Sequence, residues 1–293
     1  MTDRRPPASP ATVLCALLGS PVDHSGSPAM HDAAFAATGR DARYLAFDVS
    51  ARDLPAAVRG LAALGAAGAN VTIPHKERAL ALAGEVAPRA QRSGSANVLA
   101  FRAGRVVADD TDGEGFVRAV AEAGFGLSGV TMVVLGAGGA ARAVTAAALA
   151  AGARRVLVHN RSAERAVELV SRLDPHGRRL RAVGRHDLAE ALAGAAVIVN
   201  ATPLGLRPGD PAPLPGDQPL PPGALAVDLV YAPHETPFVR AARAAGLRAV
   251  DGRRMLVWQA ALAWEVWFGE IGPVEVMARA LDQWLHRRAG DGP

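Results

Sequence analysis

The sequence predicts an α/β protein of two domains, and three observations predict it. Short apolar runs bounded by glycine and proline alternate with helix-length stretches along most of the chain. One of these runs, 130–135, passes at once into Gly136-Ala137-Gly138-Gly139-Ala140-Ala141 and then into an alanine-rich stretch, a strand–turn–helix signature. The chain has 293 residues, 50% hydrophobic and 20% charged, enough to bury two modest cores.

In chain order, residues 1–10 read as a loose proline-rich tail. The apolar run 11–18 follows Arg4-Arg5 and imitates a short signal peptide. It lacks an Ala-x-Ala cleavage pattern and ends in Gly19-Ser20-Pro21, so 13–18 is a first core strand. Ser27-Pro28 opens a helix, with serine at the N-cap and proline at the first position, running to Thr38 before Gly39. A strand over 44–49, a helix capped by Asp53 and running to Leu64, and a strand over 69–73 stopped by Pro74 complete the first half. A second unit begins near Gly113 with a helix over 114–123. The strand 130–135, the glycine turn and a helix to Ala151 come next, followed by strands over 156–159, 196–199 and 224–230. The stretch 207–223, dense in proline and glycine, reads as a surface loop. Helices over 255–268, carrying Trp258, Leu262, Trp264, Val266 and Trp267, and over 281–286 close the chain.

Composition excludes several function classes. The net charge of +4 is mild, no block of like charge occurs, and aromatics are 4%, so no stacking platform or phosphate-tracking stripe for nucleic acid is expected. Cys15 is the only cysteine, which forbids an internal disulfide and cysteine metal clusters; no metal is expected. No apolar stretch approaches the ~18–20 residues a membrane span needs, so a soluble, cytoplasmic protein is expected. Lys76 is the only lysine among many arginines, which points to a place where a compact ammonium with an adjustable pKa does what a guanidinium does not.

The glycine turn suits a dinucleotide. Gly136 permits the tight turn, Gly138 lets a pyrophosphate approach the backbone, and Gly139 or Ala140 lets the helix pack on its strand, in a Rossmann-type domain. The second strand of such a domain usually ends in an acidic residue for the ribose hydroxyls of NAD. Here it ends in His159-Asn160-Arg161-Ser162, with Arg165 one turn on, and two guanidiniums suit a 2′-phosphate. The reading is NADP(H).

Four polar segments stand where apolar runs end: His24-Ser25-Gly26-Ser27-Pro28, Asn70-Val71-Thr72-Ile73-Pro74-His75-Lys76-Glu77, Ser95-Ala96-Asn97 and Asp109-Asp110-Thr111-Asp112-Gly113. Taken singly, Ser27 and Asp112 read as helix caps and Asn97 as a turn residue. Together, and with Asn200-Ala201-Thr202-Pro203-Leu204-Gly205, Asp228-Leu229-Val230-Tyr231-Ala232-Pro233, Thr236-Pro237-Phe238 and Asp251-Gly252 through Gln259-Ala260-Ala261, they resemble the shikimate dehydrogenase family over nearly the whole chain.

The resemblance implies an N-terminal α/β substrate domain (1–112 with 252–293), an inserted Rossmann-type NADP-binding domain with a parallel sheet (113–251), and an active site in the cleft between them. It implies that Lys76 and Asp112 are the catalytic pair. Ser25 and Ser27, with Tyr231, would hold a substrate carboxylate; Thr72, Asn97, Asp112 and Gln259 would meet ring hydroxyls. On the cofactor side it implies Gly136, Gly138, Gly139 and Ala140 at the pyrophosphate, Asn160, Arg161 and Arg165 at the 2′-phosphate, and Thr202, Gly252 and Met255 toward the nicotinamide. The implied activity is that of an oxidoreductase acting on a CH–OH group, reversibly reducing 3-dehydroshikimate to shikimate with NADPH in aromatic amino-acid (chorismate) biosynthesis. The partner is a small molecule, and a homodimer is left open. Three departures stand out: Asp110 where the family usually has asparagine, Val98 where threonine is frequent, and Arg253-Arg254 where Leu-Gly is common. The last would alter a turn that meets the nicotinamide. Two rivals remain, a quinate/shikimate dehydrogenase of quinate metabolism and a non-catalytic NADP- or shikimate-sensing module.

Overall fold

The computed structural model describes residues 7–214, 218 and 220–290. The tail read over 1–10 and the loop read over 207–223 therefore lie partly outside the described residues. The chain divides into two compact units, Met1–Thr111 with Val257–Pro293, and Asp112–Leu256. The changes of unit expected after residues 112 and 251 fall after 111 and 256, the second of them inside a helix.

The first unit comprises β1 (Val13–Gly19), α1 (Ser27–Thr38), β2 (Ala42–Asp48), α2 (Leu54–Ala63), β3 (Gly68–Val71), α3 (Lys76–Ala81), β4 (Glu85–Val86), α4 (Pro88–Ser93), β5 (Val98–Arg102) and β6 (Arg105–Asp109). The second holds α5 (Asp112–Glu122), β7 (Thr131–Leu135), α6 (Gly139–Ala150), β8 (Arg155–His159), α7 (Ala163–Leu173), β9 (Leu180–Ala182), α8 (Leu188–Ala193), β10 (Val197–Asn200), β11 (Leu225–Asp228), α9 (Pro237–Ala244) and β12 (Arg248–Val250). α10 (Arg253–Phe268) begins in the second unit and ends in the first, and α11 (Val274–Gly290) belongs to the first.

The first unit's sheet is mixed, in the order β2-β1-β3-β5-β6-β4, with β1 parallel to β2 and β3, and β5 antiparallel to β3 and β6. Leu18, Leu54, Val58 and Leu99 are buried in one core beside this sheet, and α1 packs against α11. The second sheet is parallel throughout, in the order β12-β11-β10-β7-β8-β9, which is the doubly wound arrangement. Its central strands β7, β10 and β11 are buried at every residue, as expected where both faces are covered. The chain order reverses between β7 and β10, so the crevice past their carboxyl ends is where such folds take ligands.

Three local expectations change. Ser27 is not the N-cap of α1; Gly26 holds that position without a side-chain cap bond, and Ser27 and Pro28 form the first turn. The closing helix read over 281–286 is longer, starting at Val274. Neither Asp53 nor Ser162 caps its helix through its side chain. Asp53 instead receives the Ser50 hydroxyl at 2.7 Å.

Candidate active site

In the first unit, the expected residues gather where strands end. Ser25 and Ser27 follow β1 across a turn that contains the cis Ser20-Pro21 bond. The Ser25 hydroxyl oxygen accepts the Ser27 backbone N–H at 3.2 Å, so the two serines share one short bend. Ser27 is buried, and with no cap bond to make, its hydroxyl is left to other work. Thr72 follows β3 directly, and its N–H donates to the Leu18 carbonyl at 2.9 Å. The cis Ile73-Pro74 bond then turns the chain, and His75 N–H closes the turn on the Thr72 carbonyl at 2.9 Å. His75 is buried with Nε2 against the Val49 carbonyl at 2.6 Å, so its ring anchors the turn. Lys76 opens α3, half-buried, and its carbonyl accepts the Ala96 N–H at 3.0 Å, tying the lysine segment to the Asn97 segment.

Asn97 and Gln259 are both buried and touch. Asn97 Nδ2 donates to Gln259 Oε1 at 3.2 Å and to Thr111 Oγ1 at 3.1 Å. Asn97 Oδ1 accepts the Thr111 N–H at 2.8 Å, and the Thr111 hydroxyl reaches the Gln259 carbonyl at 3.0 Å. Thr111 thus ties two expected substrate residues together and is the residue before Asp112. Asp110 is buried and accepts the Ser95 hydroxyl at 2.9 Å, while Asp109 is clasped by the Arg89 fork at 3.1 and 2.6 Å. Asp110 is therefore accommodated by a specific donor. Val98 sits wholly buried in an apolar cluster.

In the second unit, Asp112 is buried at the first position of α5. Past β7, Gly136 has φ +116°, a conformation only glycine adopts freely, and a Cβ there would lie 2.7 Å from the Ala201 carbonyl oxygen. Gly138 is the N-cap of α6 and caps through no side chain; a Cβ at Gly138 would meet nothing within 4 Å. Open space therefore lies before the α6 N-terminus, where Gly139 and Ala140 supply the first turn. At the end of β8, Asn160 Nδ2 donates to the Ser162 carbonyl at 2.9 Å and shapes the bend. Arg161 and Arg165 are exposed, and among the described residues neither side chain makes a hydrogen bond or ion pair. Glu164, between the two arginines in sequence, accepts the Ser162 hydroxyl at 2.7 Å, which holds its carboxyl below the usual range. An NADP pyrophosphate and 2′-phosphate fit these features; an NAD ribose would find no carboxylate at the end of β8.

The loops after β10 and β11 are held by a buried clasp. Asn200 Nδ2 donates to Asp228 Oδ1 at 2.8 Å, and Asp228 Oδ2 accepts the Thr236 hydroxyl at 2.6 Å. Burial pushes the Asp228 carboxyl up to about 6. Thr202 hangs on this clasp, its hydroxyl 2.7 Å from Asn200 Oδ1. Tyr231, half-buried, follows β11 beyond Asp228. Gly252 is required by close approach: a Cβ would lie 2.3 Å from the Leu229 carbonyl. Met255 is buried against the second unit's core. Arg254 strains no turn, since Ala103 is the one non-glycine residue with positive φ among the described residues. Its guanidinium instead forms a fork on Glu122 at 2.7 and 2.6 Å.

Sequence reasoning passed over Thr111, Asn200 and Asp228 as supports although they lie in the motifs it singled out.

Comparison with known proteins follows the same division. Family models match at residues 17–99 (shikimate dehydrogenase substrate binding domain), 119–204 (shikimate/quinate 5-dehydrogenase) and 252–281 (shikimate 5'-dehydrogenase C-terminal domain). A curated relative from Symbiobacterium thermophilum, a shikimate dehydrogenase (NADP(+)), is 46% identical over 96% of this chain and 97% of its own. The shikimate 5-dehydrogenase of Thermus thermophilus, solved in complex with NADP(H) and shikimate, is 39% identical with a TM-score of 0.83, over 92% of this chain and 99% of its own. A quinate dehydrogenase from Corynebacterium glutamicum in complex with NAD is 31% identical with a TM-score of 0.84, over 92% of this chain and 98% of its own.

Proposed function

The chain belongs to the shikimate dehydrogenase family, and we propose that it is an NADP-dependent shikimate dehydrogenase, interconverting 3-dehydroshikimate and shikimate in aromatic amino-acid biosynthesis. One observation carries the choice of cofactor: two exposed guanidiniums without protein partners among the described residues, Arg161 and Arg165, stand past β8 where an NAD-type site would carry a carboxylate.

Ser25 and Ser27 would hold the substrate carboxylate, with Tyr231. Thr72, Asn97, Asp112 and Gln259 would take the ring hydroxyls and so fix which carbon faces the cofactor. Gly136, Gly138, Gly139 and Ala140 would hold the pyrophosphate, Asn160, Arg161 and Arg165 the 2′-phosphate, and Thr202, Gly252 and Met255 the nicotinamide end. When bound, NADPH supplies the hydride. As the ketone is reduced, negative charge grows on its oxygen; the Lys76 ammonium would stabilise that charge, and a proton from the Lys76/Asp112 pair would complete the alcohol. Asp112 would orient the ammonium and can relay the proton. Arginine would serve poorly at position 76, because its proton is held too tightly to be transferred.

The test is initial-rate reduction of NADP⁺ and NAD⁺ with shikimate and with quinate. Turnover confined to shikimate with NADP⁺ supports the reading. Turnover of quinate with NAD⁺ would transfer it to the quinate branch, and NADPH binding without turnover to the sensing module.

A further inference from the structure

We propose that Tyr44 is a positioning residue for the substrate amides, acting through Asn70 on Asn97; the inference rests on the dehydrogenase reading of the same site. Tyr44 is on β2 and Asn70 on β3, the two strands that flank β1, with Tyr44 in register with Cys15 and Asn70 with Leu17. Cys15 and Leu17 are two residues apart and share a face, so Tyr44 and Asn70 lie on that same face of the sheet. The Tyr44 hydroxyl crosses β1 and donates to Asn70 Oδ1 at 2.8 Å in a buried hydrogen bond. Asn70 Nδ2 then donates to the Asn97 carbonyl at 3.3 Å, beside the Val71 N–H that reaches the same oxygen at 2.8 Å. From Asn97 the chain of bonds continues through its side chain to Gln259 and Thr111.

The Tyr44 ring is itself fixed. It stacks on His31 at 4.2 Å between centroids and 9° between planes, and His31 Nδ1 accepts the Trp264 indole N–H at 3.0 Å. Burial keeps His31 neutral, with its pKa lowered to about 3, so the stack carries no charge that titrates near neutral pH. Tyr44 and Asn70 are 2% and 5% exposed, so no solvent stands ready to replace either partner. The Tyr44 hydroxyl directs the Asn70 amide from one side, and the His31 ring, which also interacts with Asn70, borders it from another. With the hydroxyl present, Oδ1 faces Tyr44 and Nδ2 faces the Asn97 carbonyl. Without it, Oδ1 loses its 2.8 Å donor in a buried place, and the amide gains by turning or shifting toward another, such as the His31 ring. The Asn97 carbonyl then loses the Asn70 donor and keeps that of Val71, and the side chain that would read a ring hydroxyl loosens with it.

Tyr44→Phe keeps the ring, its stack and the core volume and removes only the hydroxyl. The expected result is a rise of about fivefold to twentyfold in KM for shikimate with KM for NADP⁺ unchanged within about twofold, a pattern that general loosening of the fold does not produce. In an Asn97→Ala background the same change should have no further effect on kcat/KM, because the path to the substrate is already cut. Unchanged shikimate kinetics in Tyr44→Phe overturns the proposal, as does an undiminished effect in the Asn97→Ala background. If the unaltered protein turns over no shikimate, the dehydrogenase reading fails instead, and the two failures are told apart by that control. Should Tyr44→Phe fold poorly, Asn70→Ser, which removes the relay and keeps both stacked rings, must give the same selective rise in shikimate KM.

Discussion

Replacing Arg161 by alanine isolates the argument for NADP. Arg161 follows Asn160 at the bend after β8, exposed and without a hydrogen bond or ion pair among the described residues. Removing it therefore breaks nothing in the fold, and stability should stay within about 0.5 kcal/mol of the unaltered protein. What it would remove, on the proposed reading, is a charge-assisted fork to a dianion. Such bonds contribute roughly 1.5–3 kcal/mol, and a site open to solvent lies toward the lower half of that range. A loss of about 2 kcal/mol corresponds to roughly a 30-fold fall in kcat/KM for NADP⁺. NAD⁺ has no 2′-phosphate to lose, so its kcat/KM should move by less than about twofold. The assay is steady-state turnover of shikimate with each cofactor at low and high salt. The NADP⁺ value should fall with ionic strength in the unaltered protein and much less so in the variant, since exposed charges are screened. Equal losses for both cofactors would refute the reasoning, because the arginine would then be serving the adenosine or the loop and not the phosphate. A further Arg165→Ala should remove most of the remaining preference.

Other outcomes are expected at separate places. Lys76→Met should lower kcat by about 10²–10⁴ with KM for shikimate changed only a few-fold, and Lys76→Arg should restore little; near-normal turnover in either variant removes Lys76 from the chemistry. Because the folded-state pKa of His31 is lowered to about 3, the unfolded chain takes up a proton below about pH 6.5 while the folded one does not, so stability is lost as pH falls from 6.5 toward 3. At about pH 4.5 this amounts to about 2–3 kcal/mol, partly offset by Asp228, whose carboxyl, raised to about 6, contributes stability that grows as pH falls. Denaturant unfolding at several pH values should show the loss, and His31→Phe should abolish it and leave the gain from Asp228 as pH falls from about 6. Ala103→Gly should raise stability by about 0.5–1 kcal/mol in the same assay, since Ala103 stands at φ +47° in the β5–β6 turn, where an L side chain is strained; a loss would show that the turn is set by its flanking strands.

That hairpin also shows where sequence reading stops. β5 and β6 join through Ala103-Gly104, with φ +47° and +77°, a two-residue turn that wants two left-handed residues. Only the glycine advertises it; alanine is a helix former, and the pairing of β5 with β6 is what overrides its preference. The buried parallel strands β7, β10 and β11 were legible because continuous burial leaves an unbroken apolar run. β9 and β12 were not, since three-residue strands at the sheet's edges carry too few side chains to show a period. The serine at the head of α1 misled for a different reason. Ser27 fits the N-cap rule, but its neighbour Ser25 turns back to receive its N–H, and the cap moves to Gly26.

The candidate site divides along the same line between local and non-local causes. Residues that would meet a ligand lie in short runs where an apolar stretch ends, and their chemistry is visible one residue at a time: a lone lysine, an amide, a serine pair, arginines where an acid is expected. What aims them is spread across the sheet. Asn97 is held by Val71 and Asn70 behind it and by Thr111 and Gln259 beside it, residues from separate stretches of the chain. No spacing rule links position 44 to position 97, because the link passes over β1 by way of a strand register. An amide that reads a hydroxyl must present its carbonyl and its NH₂ in a definite sense, and an isolated asparagine turns between the two at little cost. The buried bonds around Asn97 remove that freedom before any ligand arrives, so the ordering cost is met in folding instead of in binding. Changes to this support should therefore appear first in KM for shikimate, whereas changes at Lys76 should appear first in kcat.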